Sequence, residues 1–268
     1  MATLSYHEQK DIENIKKLRE LQKELPSFCS DFFRGIETST STRTRIAYAY
    51  DLKIFFQFLK TANPGTFDNP SHTLTPSDLE KLTVTDLEEY IDYLKCHPSD
   101  TNEDVINTER GLMRKVSSLR SFYSYFFRNE RIEKNPAALV RMPKLHEKEI
   151  IRLEIDEVAK LLDEVEEGDK LTEKQKLYHE RTKVRDLAMM SLLLGTGIRV
   201  SECVGLNIND IDLDTCGARV YRKGGKESVI YFSDEVRDVL EDYLDEREMI
   251  DAVPGNEDAL FLSMQRKR

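Results

Sequence analysis

Apolar positions recur at helical spacing through most of the first half of the chain. Ile12, Ile15, Leu18 and Leu21 share one face of His7–Lys23, charged residues fill the other, and Pro26 closes the run. Ser and Thr residues of the kind that cap helices open "STSTRTRIAYAYDLKIFFQFLK", where Ile46, Ala47, Tyr50, Ile54, Phe55 and Phe58 carry the same period. The Pro, Gly, Asn and Ser content of "TANPGTFDNPSHTLTPSD" marks a loop. "TVTDLEEYIDYLK" comes next as a helix with Thr85 as its expected cap. "TNEDVINTERGLMRKVSSLRSFYSYFFRNERI" reads as one or two helices striped by Leu112, Val116, Leu119, Tyr123 and Phe126. No convincing strand pattern appears, so residues 25–140 are expected to form an all-α bundle.

The texture then changes. "KNPAALVRMPKLHEKEIIRL" holds two prolines and few periodic apolar positions, as an interdomain linker would. Beyond it, "IDEVAKLLDEVEEG", "VRDLAMMSLLLGTG" and "SDEVRDVLEDYLDERE" have helical spacing. "ARVYRKGGKESVIYF" alternates β-branched and aromatic residues around Gly-Gly, the signature of a hairpin. The expected organisation is an N-terminal helix over 1–24, a helical domain over 25–140, a linker over 141–150 and a mixed α and β domain over 151–268. Internal repeats and low-complexity segments are absent.

Composition changes this picture in two ways. With 268 residues and 39% hydrophobic content there is enough apolar material for one large domain or two ordinary ones. No apolar run approaches a membrane span, the first twenty residues lack the apolar core of a signal peptide, and the four cysteines (Cys29, Cys96, Cys203, Cys216) form no CxxC pair. Reduced thiols, half-buried or buried, and a cytoplasmic setting are the resulting expectations, with neither a metal nor a cofactor implied. The formal net charge of −10 speaks against a nucleic-acid partner until its distribution is considered. Ile106–Lys148 carries ten Lys/Arg against four Asp/Glu, whereas Thr73–Asp104, Glu154–Asp169 and Asp234–Asp251 are each acidic by seven charges. One strongly basic block in an acidic chain suggests a nucleic-acid surface.

The chemistry centres on "SLLLGTGIRVSE", Ser191–Glu202. A P-loop needs GxxxxGK[ST], but Gly225-Lys226 is followed by Glu227 and lacks the earlier glycine. A dinucleotide fingerprint needs a third glycine where Val200 stands, and a strand where "DLAMMSLLL" has helical texture. Both phosphate-loop readings fail, and by itself Gly-Thr-Gly is a helix C-cap and a turn. Arg199 after that turn and Lys223 in the hairpin say more together. Arginine offers a permanently charged fork for two phosphate oxygens, and lysine a movable charge that can give up a proton. That division suits metal-free transesterification at a phosphodiester. As isolated residues, Arg199 could simply pair with Glu202 at the surface and Lys223 could be an ordinary hairpin lysine.

"LLLGTGIRVSECVGLNINDIDLD" resembles the first catalytic box of the tyrosine recombinase (phage integrase) family, most of all its Xer-type members. "RKGGKESVIYF" is similar to that family's lysine hairpin. "STRTRIAYAYDLKIFFQFLK" and "RKVSSLRSFYSYFFRNERIEKNPAALVRMPK" are similar to the helices and exit linker of its core-binding domain, so the resemblance covers residues 38–268. It implies a mainly α protein: an all-α, SAM-like core-binding bundle, then a truncated α+β catalytic domain with a small antiparallel hairpin or sheet. It also implies cleavage and rejoining of DNA strands through a 3′-phosphotyrosine and a Holliday junction. The partners implied are a double-stranded recombination site and further protomers, tetrameric on synapsed DNA in the complete protein.

Carried over, Arg199 would bind the scissile phosphate, Lys223 would protonate the 5′ leaving oxygen, and Glu202 would support Arg199. Phosphate contacts would come from Arg43, Thr44, Arg45, Arg110, Arg114, Lys115, Ser118 and Arg120, with some of the arginines holding the bundle together instead. The family continues with a His-x-x-Arg box and a nucleophilic tyrosine. Here all five histidines precede Arg199 with no arginine three residues on, and the tyrosines after Arg199 are Tyr221, Tyr231 and Tyr243, all too early. The expectation is a fragment or a degenerate paralogue that binds DNA without cutting it. The alternative is a non-catalytic DNA-binding regulator.

Overall fold

A computed structural model describes residues 6–99, 101, 103–146, 149, 151–222 and 226–268. The chain divides into two compact units, one of them His7–Glu149 and the other carrying Ile150–Arg268. Among the described residues no helix is long and apolar enough to cross a membrane.

The first unit is built from helices α1 (Tyr6–Lys23), α2 (Cys29–Gly35), α3 (Thr42–Ala62), the single turns α4 (Pro64–Phe67) and α5 (Pro76–Leu79), α6 (Val84–Lys95) and α7 (Glu109–Arg128). Ser41 caps α3 by accepting the Thr44 N–H, and Thr108 caps α7 through Gly111. For α6 the cap is Thr83, not Thr85. Asp86 accepts the Thr83 N–H at 2.6 Å while Thr83 Oγ1 accepts the Asp86 N–H, a reciprocal pair that places the start ahead of the expected cap. Of the stripe on α1, Leu18 and Leu21 are buried but Ile12 is 40% exposed, so the apolar packing is concentrated in the C-terminal half, while Asp11 accepts from the Thr42 hydroxyl at 2.8 Å. The core is a lattice of rings in which Phe122 alone meets Phe28, Phe32, Phe56, Tyr123 and Phe126 at centroid distances of 5.1–6.3 Å.

Two departures from the expected elements occur here. The loop over 61–78 contains α4 and the start of α5, turns that bury Phe67 and Leu79. A two-stranded antiparallel ribbon, β1 (Cys96–Pro98) and β2 (Asp104–Ile106), comes after α6. Asn107 anchors it by donating from Nδ2 to the Leu94 carbonyl at 2.7 Å, and His97 packs flat against Tyr93. Strands of three residues are too short to leave an alternating pattern in the sequence.

The second unit comprises α8 (Ile155–Glu167), α9 (Glu173–His179), α10 (Lys183–Thr196), α11 (Val200–Gly205), β3 (Ile211–Asp212), β4 (Gly217–Arg222), β5 (Lys226–Tyr231) and α12 (Asp234–Glu248). The strands form one antiparallel sheet in the order β3-β4-β5, with Ala218 opposite Ile230 and Arg222 opposite Lys226. Ala218 and Val220 point to a core shared with Ala188, Leu192, Cys203 and Leu240. Gly195 lets α10 approach α12 closely: a Cβ there would lie 2.9 Å from Val236 Cγ2. Polar anchors tie down the segment after α12. Arg247, 4% exposed, donates to the carbonyls of Ala259, Ile250 and Glu257, and Tyr243 Oη donates to Leu260 O at 2.9 Å. Cys29 and Cys203 are buried and Cys216 half-buried, but Cys96 is exposed. Burial pushes the Cys203 thiol up to about 12, so it is inert at neutral pH.

Candidate functional site

Helix α10 ends because Gly197 adopts the left-handed conformation (φ 66°) and donates its N–H to Leu193 O at 2.9 Å. Ile198, 7% exposed, pins the turn to the core, and Arg199 then stands in extended conformation at the N-cap of α11. The Gly-Thr-Gly is therefore a helix stop that leads straight into Arg199. Glu202, near the start of α11, holds Arg199 twice. Its Oε2 accepts the Arg199 backbone N–H at 3.0 Å, and its Oε1 accepts from Nη1 at 2.8 Å.

The two partners sit in different environments, with the Glu202 side chain 6% exposed and that of Arg199 69% exposed. The Arg199 backbone N–H is the main reason the Glu202 carboxyl titrates below its ordinary range. The guanidinium and the charge of Arg222 act in the same direction, against burial. Glu202 thus stays ionised across neutral pH and fixes one edge of the guanidinium. The remaining N–H donors of Arg199 have no partner among the described residues, which leaves a fork free for an oxyanion.

Lys223 lies outside the described residues. The register of β4 and β5 is defined up to Arg222 opposite Lys226 on either side of it. Arg222 carries a cue that composition alone does not give. It shares the face of β4 occupied by Ala218 and Val220, and its charge is felt at Glu202. Tyr243 is 1% exposed and Tyr231 70% exposed.

In the helical unit the eight candidate residues fall into three groups. Arg43 and Arg110 are exposed with no ion pair among the described residues, and Thr44 exchanges a hydrogen bond with Ser41 at the start of α3. Arg45 is 7% exposed and donates to Glu37 at 2.8 Å, and Arg120 donates to the carbonyls of Ala137, Ala138 and Val140. Lys115 is buried and donates to Asn107 Oδ1 at 2.7 Å, while Ser118, 1% exposed, has an Oγ with no hydrogen-bond partner. The side chains of Arg45, Arg120 and Lys115 are thus engaged within the bundle.

Arg114 is different. Its side chain is 45% exposed, yet Nη1 donates both to Asp51 Oδ2 on α3 and to Ala47 O. Asp51 is 2% exposed, and its other oxygen, Oδ1, has no partner. Burial pushes Asp51 up to about 6, opposed by Arg114 and Lys115. Asp51 is the residue hardest to find by sequence reasoning. Its only signal is a carboxylate placed between Ala47 and Phe55 at i, i+4 spacing on an apolar face.

The phage integrase family matches residues 151–268. A tyrosine recombinase XerS from Streptococcus uberis is 30% identical over 277 aligned positions, which cover 94% of this chain and 76% of that protein. The chain belongs to the tyrosine recombinase family. A tyrosine recombinase XerC from Caldanaerobacter subterraneus is 34% identical over 252 residues, 91% of this chain, and the chain spans 65% of that relative's length. The fold is shared with XerH site-specific recombinase bound to palindromic difH substrate, at a TM-score of 0.57 and 15% identity, over 94% of this chain and 67% of that one. It is shared also with a lambda integrase tetramer bound to a Holliday junction, at 0.56 and 17%, over 90% and 60%.

Proposed function

We propose that this chain is the DNA-engaging part of a site-specific tyrosine recombinase acting on a double-stranded recombination site in the cytoplasm. The observation that carries the reading is Arg199, a guanidinium fixed on one edge by the buried Glu202 and open on the other. In this reading Arg199 neutralises the non-bridging oxygens of the scissile phosphate, and Glu202 orients it. Lys223 delivers the proton to the departing 5′ oxygen. The helical unit grips the flanking duplex through Arg43, Arg110 and Arg114. Further protomers join on synapsed DNA, a reading supported by the tetrameric lambda integrase on its junction.

These 268 residues bind DNA without linking to it covalently, because Tyr221, Tyr231 and Tyr243 all come earlier after Arg199 than the family's nucleophile does. Tyr243 is buried with its hydroxyl committed to Leu260 O, and Tyr231 sits on β5 in a pair with Gly217. Gel shifts on duplex DNA at graded salt test the reading. The logarithm of affinity should fall steeply with the logarithm of salt, by about one unit per phosphate contacted. Arg43→Ala and Arg110→Ala should each reduce that slope by about one. A flat salt response, or no shift on any duplex at low salt, would overturn the proposal.

The assigned roles have their own test in a longer chain that supplies His-x-x-Arg and a later tyrosine. Arg199→Ala should lose about 10²- to 10³-fold in cleavage whatever the leaving group. Lys223→Ala should be rescued when a 5′-bridging sulfur leaves without a proton. Rescue of both variants, or of neither, would refute the division of labour.

A further inference from the structure

We infer that Asp51 is a positioning residue that holds Arg114 in place to contact a DNA phosphate, an inference that rests on the DNA-binding reading above. Its ground is the count of donors on one guanidinium. Arginine carries five N–H groups in a rigid plane. The two on Nη1 are taken by Asp51 Oδ2 and Ala47 O, both on α3. The Nε and Nη2 groups have no partner among the described residues, and the side chain is 45% exposed. A fork held along one edge and open along the other suits a bidentate oxyanion contact, because the torsions that binding would have to freeze are frozen already.

The neighbouring basic residues sharpen the contrast. Arg45 and Arg120 are consumed by Glu37 and by backbone carbonyls, and Lys115 is buried on Asn107. Arg114 alone in this group is both anchored and outward-facing.

Asp51 makes little sense as a stabilising device. Its carboxylate is 2% exposed, and one oxygen is left without any hydrogen bond. Burying a charge with an unsatisfied lone pair costs more than a half-exposed ion pair returns. The upward displacement of its titration despite two adjacent cations agrees with that balance. A residue kept at such a cost is explained by what it does to Arg114.

The test is fluorescence anisotropy of a labelled mixed-sequence duplex at low salt, with the full chain carrying Asp51→Asn, Arg114→Ala or both. Simple electrostatics predicts that Asp51→Asn, which removes a buried negative charge beside Arg114, tightens binding. Positioning predicts the opposite sign: Asp51→Asn weakens binding by roughly three- to tenfold while its melting temperature stays equal or rises, and Arg114→Ala weakens it by roughly tenfold. The double variant should bind like Arg114→Ala alone, since Asp51 acts only through that arginine. Unchanged or tighter binding by Asp51→Asn overturns the inference, as does an equal loss in the Arg114→Ala background. A fall in melting temperature that accounts for the lost affinity overturns it too. If the unmodified chain binds no duplex, the DNA-binding reading falls and takes this inference with it. If it binds and Arg114→Ala is impaired but Asp51→Asn is not, the inference alone fails.

Discussion

The two units are held together by different means. In the helical unit, rings from several helices interlock, and ten aromatic side chains (Phe28, Phe32, Phe33, Phe55, Phe56, Phe67, Tyr90, Phe122, Tyr123 and Phe126) are buried. In the second unit Tyr243, Phe232 and Phe261 are the buried rings, and α8 has no fully buried residue. Ile151, Ile155, Leu177 and Val200 lie mostly exposed there. Its core is mostly aliphatic, and polar anchors on backbone carbonyls supplement it, from Arg185 to Leu262, Arg247 to three carbonyls, and Tyr243 to Leu260. The helical unit presents a surface on a rigid body. The second presents one arginine on a turn, and needs local precision more than bulk.

The strongest way to break this contrast is at the centre of the ring lattice. Phe122 is fully buried and touches five other rings. Truncating it should cost about 3–5 kcal/mol, the usual toll of removing a buried phenyl and leaving a cavity. Hydrogen exchange on Phe122→Ala should accelerate across α2, α3 and α7 and leave β4 and β5 unchanged. Equal acceleration in both units would mean that their cores are not independent.

A polar anchor inside the helical unit should matter less. Asp78 has a side chain 3% exposed. Burial pushes it up, but hydrogen bonds from Lys81, the Thr75 N–H, His72 and the Thr75 hydroxyl outweigh that and hold it down at about 2. A carboxyl lowered from 3.8 to about 2 stabilises the fold fully above its ordinary value, and the contribution disappears as pH falls through about 2. Asp78→Asn should therefore cost about 2 kcal/mol near neutral pH, with the gap from the parent closing in acid. Asp51 has the opposite sign. Raised from 3.8 to about 6, it favours the fold when protonated, so its contribution weakens as pH rises through that window. Urea titrations of both asparagine variants between acid and neutral pH would separate these behaviours; identical pH profiles would contradict both assignments.

The range of each interaction decides how much of it was legible beforehand. Helices α3, α6, α7, α8, α10 and α12 declare themselves because their apolar stripes and most caps lie within a few residues of one another. Gly197 and Arg199 are legible for the same reason: a C-cap and the N-cap after it are local events. The three-residue strands β1 and β2 leave no period to read. The fate of each arginine depends on distant partners, since Arg114 meets Asp51 across 63 positions and Arg120 meets Val140 across 20. Composition marks residues 106–148 as basic, but it cannot separate a guanidinium spent on carbonyls from one left open.

The smallest effect expected lies at the turn that carries the site. Gly197 has φ 66°, and a Cβ built there meets nothing within 4 Å. Gly197→Ala therefore creates no clash, and its whole cost is that of forcing an L side chain into the left-handed region, about 1 kcal/mol. Gly195→Ala differs in kind, because its Cβ would press on Val236 Cγ2, the movable end of a side chain. If the second unit depends on local backbone geometry, the alanine at 197 should also disturb the start of α11. The Arg199–Glu202 pair begins two residues on, and its hydrogen bond to the Arg199 N–H requires the extended conformation seen there. Loss of that bond raises the Glu202 carboxyl back toward its ordinary range, which NMR titration of the side-chain carboxyl would register. An upward move at Glu202 accompanied by a stability loss near ~1 kcal/mol supports a turn that sets the site. A stability loss with Glu202 unmoved would show that Ile198, seated in the core, isolates Arg199 from the glycine before it.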